Sequence, residues 1–193
     1  MCGIMSGMTE VSSLTGRLLV ATPALADPNF DRAVVLLLDH DEEGSLGVVL
    51  NRPTPVDVGD ILESWGGLAG DPGVVFQGGP VSLDSALGLA VIPGDEGPLG
   101  WRRVHGAIGL VDLETPPELL ARALGSLRIF AGYAGWGPGQ LEDELSEGAW
   151  YVVESEPGDV SSPRPESLWR AVLRRQRSEL AMVATYPDDP SLN

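Results

Sequence analysis

Residues 33–51 read AVVLLLDHDEEGSLGVVLN. Ala33–Asp39 is an unbroken apolar run rich in valine and leucine, the pattern of a strand buried on both faces. His40-Asp41-Glu42-Glu43-Gly44 is a polar turn, and Leu46–Asn51 runs back as a second apolar strand. Two short apolar runs joined by such a turn predict a hairpin. Asn51-Arg52-Pro53 ends it, because proline has no N–H to donate and restricts the residue before it.

Outward from the hairpin, Arg17–Thr22 predicts a preceding strand, stopped by Pro23 and a loop to Phe30. Asp57–Trp65 spaces Val58, Ile61, Leu62 and Trp65 three and four apart, one face of a short helix. Further strands are predicted at Gly73–Gln77, Ala86–Ile92, Trp101–Leu113, Arg128–Tyr133 and Trp150–Val153. Helices are predicted over Pro116–Leu124, from Pro138 or Gly139 to Glu147, and over Pro165–Arg177. The last carries Glu166 early and Arg170, Arg174, Arg175 and Arg177 late, which complements the helix dipole. Glu154–Arg164 reads as an exposed loop, and LAMVAT, within Ser178–Asn193, as a short apolar piece. Strands outnumber helices and come partly as hairpins, so the class is α/β (α+β) with a mixed sheet and not a regular βαβ array. Residues 1–14 read as a loose tail, 15–186 as one domain and 187–193 as a fraying end.

Charge narrows the chemistry. The 193 residues hold 28 acids and 12 bases, a formal net charge of −16. Every base is arginine. Without lysine there is no Schiff-base amine, no Ser-Lys dyad and no Walker A lysine. Net negative charge repels the phosphate backbone that supplies non-specific DNA affinity, which weighs against nucleic acid. The one basic patch is Arg170–Arg177. Cys2 is the single cysteine, so neither an intramolecular disulfide nor a cysteine-rich zinc site is expected. The segment around it lacks the basic and apolar regions of a signal peptide, and no apolar run is long enough to cross a bilayer. The expected compartment is the cytoplasm.

Several segments carry candidate chemistry. Gly132–Gln140 (GYAGWGPGQ) lies between a strand and a helix, where backbone donors can hold an anion. It matches neither G-x-G-x-x-G nor a P-loop, and the acids that follow oppose a phosphate; a tight structural turn is the simpler reading. Gly78-Gly79-Pro80 leaves a strand in similar fashion. Arg52 beside Asn51 suits bidentate carboxylate or phosphate binding, or a structural ion pair. The candidate ligand-binding residues are therefore Asn51, Arg52, Gly78, Gly79, Gly135, Gly137 and Gln140. For these, convergence of Arg52, Gly78-Gly79 and Gly135–Gln140 on one pocket is the geometric expectation. His40 lies among acids, but alternation along a strand scatters them, so a solvated turn is expected and no metal site. His105 reads as an ordinary strand histidine. No G-x-S-x-G elbow accompanies either histidine, and no catalytic residue, metal or cofactor is assigned.

Taken together, Leu19–Phe30 (LVATPALADPNF), Val34–His40, Gly47–Pro53 (GVVLNRP), Gln77–Pro80 (QGGP) and Gly132–Leu145 (GYAGWGPGQLEDEL) followed by Trp150 resemble the YqgE/AlgH family. The blocks keep the family order and span about Gly16 to Trp169. The resemblance implies a bent, partly barrel-like mixed sheet with flanking helices. It also implies a bacterial protein of a family some of whose members are labelled transcriptional regulators, and it brings no catalytic residue or cofactor. The expected function is that of a non-catalytic cytoplasmic regulatory or binding protein acting through a protein partner or a small ligand. The alternatives are a small-anion sensor or enzyme using Arg52 and the glycine-rich strand exits, and a regulator binding DNA through Arg170–Arg177. Sequence leaves the ligand, the partner and the oligomeric state unspecified.

Overall fold

The computed structural model describes residues 13–25, 27–94, 97–176 and 179–185. Arg177, Cys2 and most of both expected tails lie outside the described residues.

Among the described residues, ten strands form one mixed sheet, curled into a half-barrel. Strands β1 (Leu18–Ala21), β2 (Val34–Asp41) and β3 (Gly44–Val49) are antiparallel neighbours, with β10 (Trp150–Val153) on the outer side of β1. The remaining strands are β4 (Pro53–Asp57), β5 (Val74–Gln77), β6 (Val81–Val91), β7 (Trp101–His105), β8 (Ile108–Val111) and β9 (Ser126–Trp136). The main path runs β10-β1-β2-β3-β9-β6-β8-β7, and β4 joins through β5. The pairing of β5 with β9 is parallel.

Strand β9 makes the curl. On one edge its first part pairs with β5 at Phe130 and Ala131, and its last part with β3 at Ala134–Trp136. On its other edge it pairs with β6 throughout its first part. The change of partner falls at Gly132, where φ is +76° and an added Cβ would stand 2.6 Å from the Gly79 carbonyl oxygen. Only glycine tolerates that conformation and that approach together.

The apolar strands behave as their composition predicts. Leu18, Val20, Val34, Leu36 and Leu38 face one core cluster, and Leu19, Ala21, Ala33, Val35 and Leu37 face another. Period-two alternation in strands covered on both sides produces this division. The first cluster is closed by α5 (Leu168–Arg174), through Leu168, Trp169, Val172 and Leu173. The second lies under α3 (Gln140–Ser146), through Leu141, Trp136 and Trp150. A third cluster contains Val58 of α1 (Val58–Ile61) and Leu120 of α2 (Glu118–Ala121). Burying each such side chain contributes about 1.5–3 kcal/mol.

Three sequence expectations are corrected. Trp101–Leu113 is two strands turning at Gly106, whose φ of +57° suits a reversal. Strand β3 ends at Val49, before Asn51-Arg52-Pro53 as expected, and Pro53 begins the separate strand β4; proline is tolerated at the first position of a strand. Glu154–Arg164 contains helix α4 (Pro157–Val160), held by a capping box between Glu156 and Asp159. Gly135 and Trp136 belong to β9 and not to the turn after it. The apolar piece near the end forms α6 (Leu180–Val183).

Two arginines, Arg128 buried and Arg175 half-buried, fasten the layers. Arg175 Nη1 and Nη2 donate to Asp159 Oδ1 and Oδ2 at 2.6 and 2.8 Å. That hydrogen-bonded carboxylate raises the Arg175 pKa. Arg128 of β9 is buried over the Phe76 ring, 4.3 Å from its centroid. Its Nη2 donates to the carbonyls of Asp71 and Ser162 at 3.1 and 2.9 Å. Burial pulls its pKa down to about 10, against the pull of Asp71.

Candidate functional site

Asn51 closes the β3 strand and is buried. Its Oδ1 accepts from the Val34 N–H at 3.0 Å and its Nδ2 donates to the Arg32 carbonyl at 2.9 Å. The amide therefore holds the start of β2, which is a structural duty. Arg52 is half-buried and donates through Nη2 to the Asp31 carbonyl. Burial lowers its pKa, while Asp31 opposes the shift.

Arg52 lines two cavities. One, of about 140 Å³, also carries Asn29, Gln77, Gly79 and Pro80. The other, of about 190 Å³, adds Arg32, Asn51, Glu166, Trp169 and Arg170. In it Arg32 and Arg170 lie over the Trp169 indole, 4.3 and 5.6 Å from the ring centroid. Three guanidinium groups against one carboxylate make this a local positive site on a strongly acidic protein.

Gly78 is not a donor to any ligand. Its N–H bonds the Ala131 carbonyl and its carbonyl accepts from Val49, each at 2.8 Å, stitching β3 to β9. Gly79 reaches the smaller cavity because the chain there packs against Tyr133; an added Cβ would stand 2.2 Å from its carbonyl carbon.

Gly135 and Gln140 lie elsewhere. They line a cavity of about 270 Å³ together with Phe30, Trp136, Glu144 and Trp150. The Gly137 N–H donates to Gln140 Oε1 at 3.0 Å, so this backbone donor is already satisfied. The expected convergence of three segments is thus only partial: Arg52 and Gly79 share a cavity, and Gly135–Gln140 does not join them. Strand β9 explains the separation. Gly79 packs where β9 changes partner, whereas Gly135 and Trp136 continue along β3 to the far end of the β2–β3 hairpin.

His40 is the group that sequence reasoning misplaced. It is 6% exposed, not solvated. A register shift between Leu37 and Asp39 rotates the strand end, sending His40 inward while Asp39 and Asp41 stay exposed. Its Nδ1 shares a hydrogen bond of 2.6 Å with Ser45 Oγ, and its Nε2 lies 3.3 Å from Glu142 Oε2. Hydroxyl, imidazole and carboxylate in series have the order of a nucleophile, base and orienting acid. The surroundings oppose that use. Ser45 opens onto a cavity lined by Asp39, Asp41 and Glu43, where negative charge developing on an oxyanion would be repelled instead of stabilised. The series pins α3 to the hairpin. His105 is exposed at the end of β7. Among the described residues, no three His, Cys, Asp or Glu side chains gather to hold a metal ion, and no helix is long and apolar enough to cross a membrane.

The arginines of α5 are partly committed: Arg175 to Asp159, and Arg170 through Nη1 to the Ala184 carbonyl.

The AlgH-like family profile matches residues 18–181. The chain belongs to the AlgH-like family. An AlgH-like relative named UPF0301 protein in Streptomyces avermitilis is 90% identical, over 98% of this chain and all of that one. Another of the same name in Thermobifida fusca is 52% identical, over 94% and 96% of the two chains. An X-ray structure of a Corynebacterium diphtheriae protein superposes with a TM-score of 0.85 at 31% identity, covering 89% of this chain and 92% of that one. The solution structure of the AlgH protein from Pseudomonas aeruginosa gives 0.66 at 30% identity, covering 91% and 95%. These names record a family and no activity.

Proposed function

We propose that this AlgH-like protein is a non-catalytic binding protein of the cytoplasm, and that a small anion such as a phosphate or carboxylate is recognised at Arg52. The observation that carries the reading is the position of Arg52, half-buried where two cavities meet, with Arg32 and Arg170 on the second of them. A guanidinium fork matches the paired oxygens of such anions. Partial burial strengthens the attraction, because water screens it less. Against catalysis stands the acidic cavity in front of Ser45.

Thermal unfolding in the presence of inorganic phosphate, sulfate and small carboxylates tests this. A ligand at about 100 times its Kd stabilises the native state by about 2.7 kcal/mol, roughly 5–10 °C in Tm for a chain of this size. The rise is expected for at least one anion and is expected to vanish in Arg52→Gln. No rise with any anion, or an equal rise in the variant, defeats the proposal. Turnover of phosphate or carboxylate esters well above a denatured control defeats its non-catalytic half.

A further inference from the structure

The cavity of about 270 Å³ beneath α3 differs in kind from the arginine cavities. Its walls include Phe30, Trp136 and Trp150, and among the described residues its charged lining is Asp27, Glu144 and Glu147, with no arginine. The three aromatic rings form one cluster. Phe30 stacks on Trp136 at 6.3 Å and meets Trp150 edge-on at 5.6 Å, and the two indoles meet at 6.1 Å. Glu144 is fixed among them. Its Oε1 accepts from both indole Nε1 groups at 2.9 Å, and its Oε2 accepts from Gln140 Nε2 at 3.1 Å. A carboxylate accepts about four hydrogen bonds, so Glu144 keeps acceptor capacity after these three.

From this combination we infer a second binding site, for a small organic cation bearing an alkylated ammonium group. Aromatic rings attract such a cation through their quadrupole, tryptophan most strongly, and apolar walls favour its methyl groups over a hydrated metal ion. Carboxylates supply the compensating charge. An anion is repelled by all three acids, and a neutral ligand leaves them without a counter-charge. The volume, just below the usual range for small-molecule pockets of about 300–1,000 Å³, suits a compact headgroup. The inference does not depend on anion binding at Arg52. The two sites nevertheless share one loop: Asp27 and Phe30 line the aromatic cavity, and Pro28 and Asn29 line the smaller Arg52 cavity.

The test uses the full chain and three probes: tetramethylammonium, choline and 3,3-dimethyl-1-butanol, the uncharged isostere of choline. Ionic strength is held constant with NaCl. Tryptophan fluorescence reports occupancy, since two of the five tryptophans line the cavity. Saturable quenching by choline and tetramethylammonium is expected, with choline at least about tenfold tighter than the alcohol. The double variant Asp27→Asn with Glu147→Gln changes exposed charges only and is expected to weaken choline about tenfold, leaving the alcohol unchanged. Glu144→Gln keeps an acceptor for the indoles and is expected to weaken choline by a similar factor. Equal affinity for choline and the alcohol, no saturation by about 100 mM choline, or undiminished choline binding in both variants overturns the assignment.

Discussion

Glu144 shows how much one carboxylate can organise. It receives two indole N–H groups from largely buried tryptophans and the amide of exposed Gln140, so removing it leaves the two indole donors without their partner. An orphaned buried donor costs about 1–3 kcal/mol. Glu144→Ala is therefore expected to destabilise the protein by about 2–4 kcal/mol, and Glu144→Gln by less than about 1 kcal/mol, as read from urea midpoints. Equal losses in the two variants would mean that the indole bonds contribute little. At this scale the sequence was legible where a residue's duty is local and illegible where it is not. Gln140 was marked by its place after a glycine-rich turn. Glu144 was not, because its partners Trp136 and Trp150 sit on different strands and only the folded sheet brings them together. His40 was misread for a related reason: the bulge that turns it inward comes from pairing with β3 and leaves no mark on the residue itself.

Among the elements, the hairpin, β1, β5, β10 and the amphipathic face of α5 follow from period and composition, since burial on one or both faces imposes those patterns. The element that shapes the molecule is β9, and its special property is invisible in its own sequence. It changes partner on one edge at Gly132. There an added Cβ meets carbonyl oxygens of Gly79 and Val81 at 2.6 and 2.9 Å, and φ is positive. Gly132→Ala is expected to cost about 3 kcal/mol or more, near the upper end for single substitutions. Gly139→Ala provides the contrast: it shares a φ of +76°, but nothing crowds its Cβ position. Its cost is expected to be about 1–2 kcal/mol, the conformational part alone. Thermal or urea unfolding of the pair separates crowding from backbone conformation. Similar losses in both would assign Gly132's role to φ and not to close approach. Strands β7 and β8 read as one strand in the sequence because Gly106 alone marks the turn between two otherwise continuous runs.

For the whole molecule, charge is the dominant global property. A formal −16 over 193 residues means mutual repulsion in the compact state. Raising NaCl from about 0.1 to 1 M shortens the Debye length from about 10 to 3 Å. The urea midpoint is expected to rise over that range; a fall would show that screened attractive pairs, such as Arg17 with Glu154, outweigh the repulsion. Composition and order along the chain determined, by themselves, an acidic mixed α+β protein, the hairpin at its centre, the absence of lysine chemistry, and the family through its motif blocks. Those properties are sums over residues or patterns between near neighbours, which a linear chain carries in full. The tertiary structure alone decided that Arg52 and Gly79 share a cavity, that Gly135–Gln140 joins an aromatic enclosure instead, and that His40 is buried. The first two depend on which strand β9 pairs with at each point, and the third on the bulge where β2 pairs with β3. Strand pairing joins residues far apart in the chain and is settled by the packing of the complete sheet, not by any segment within it.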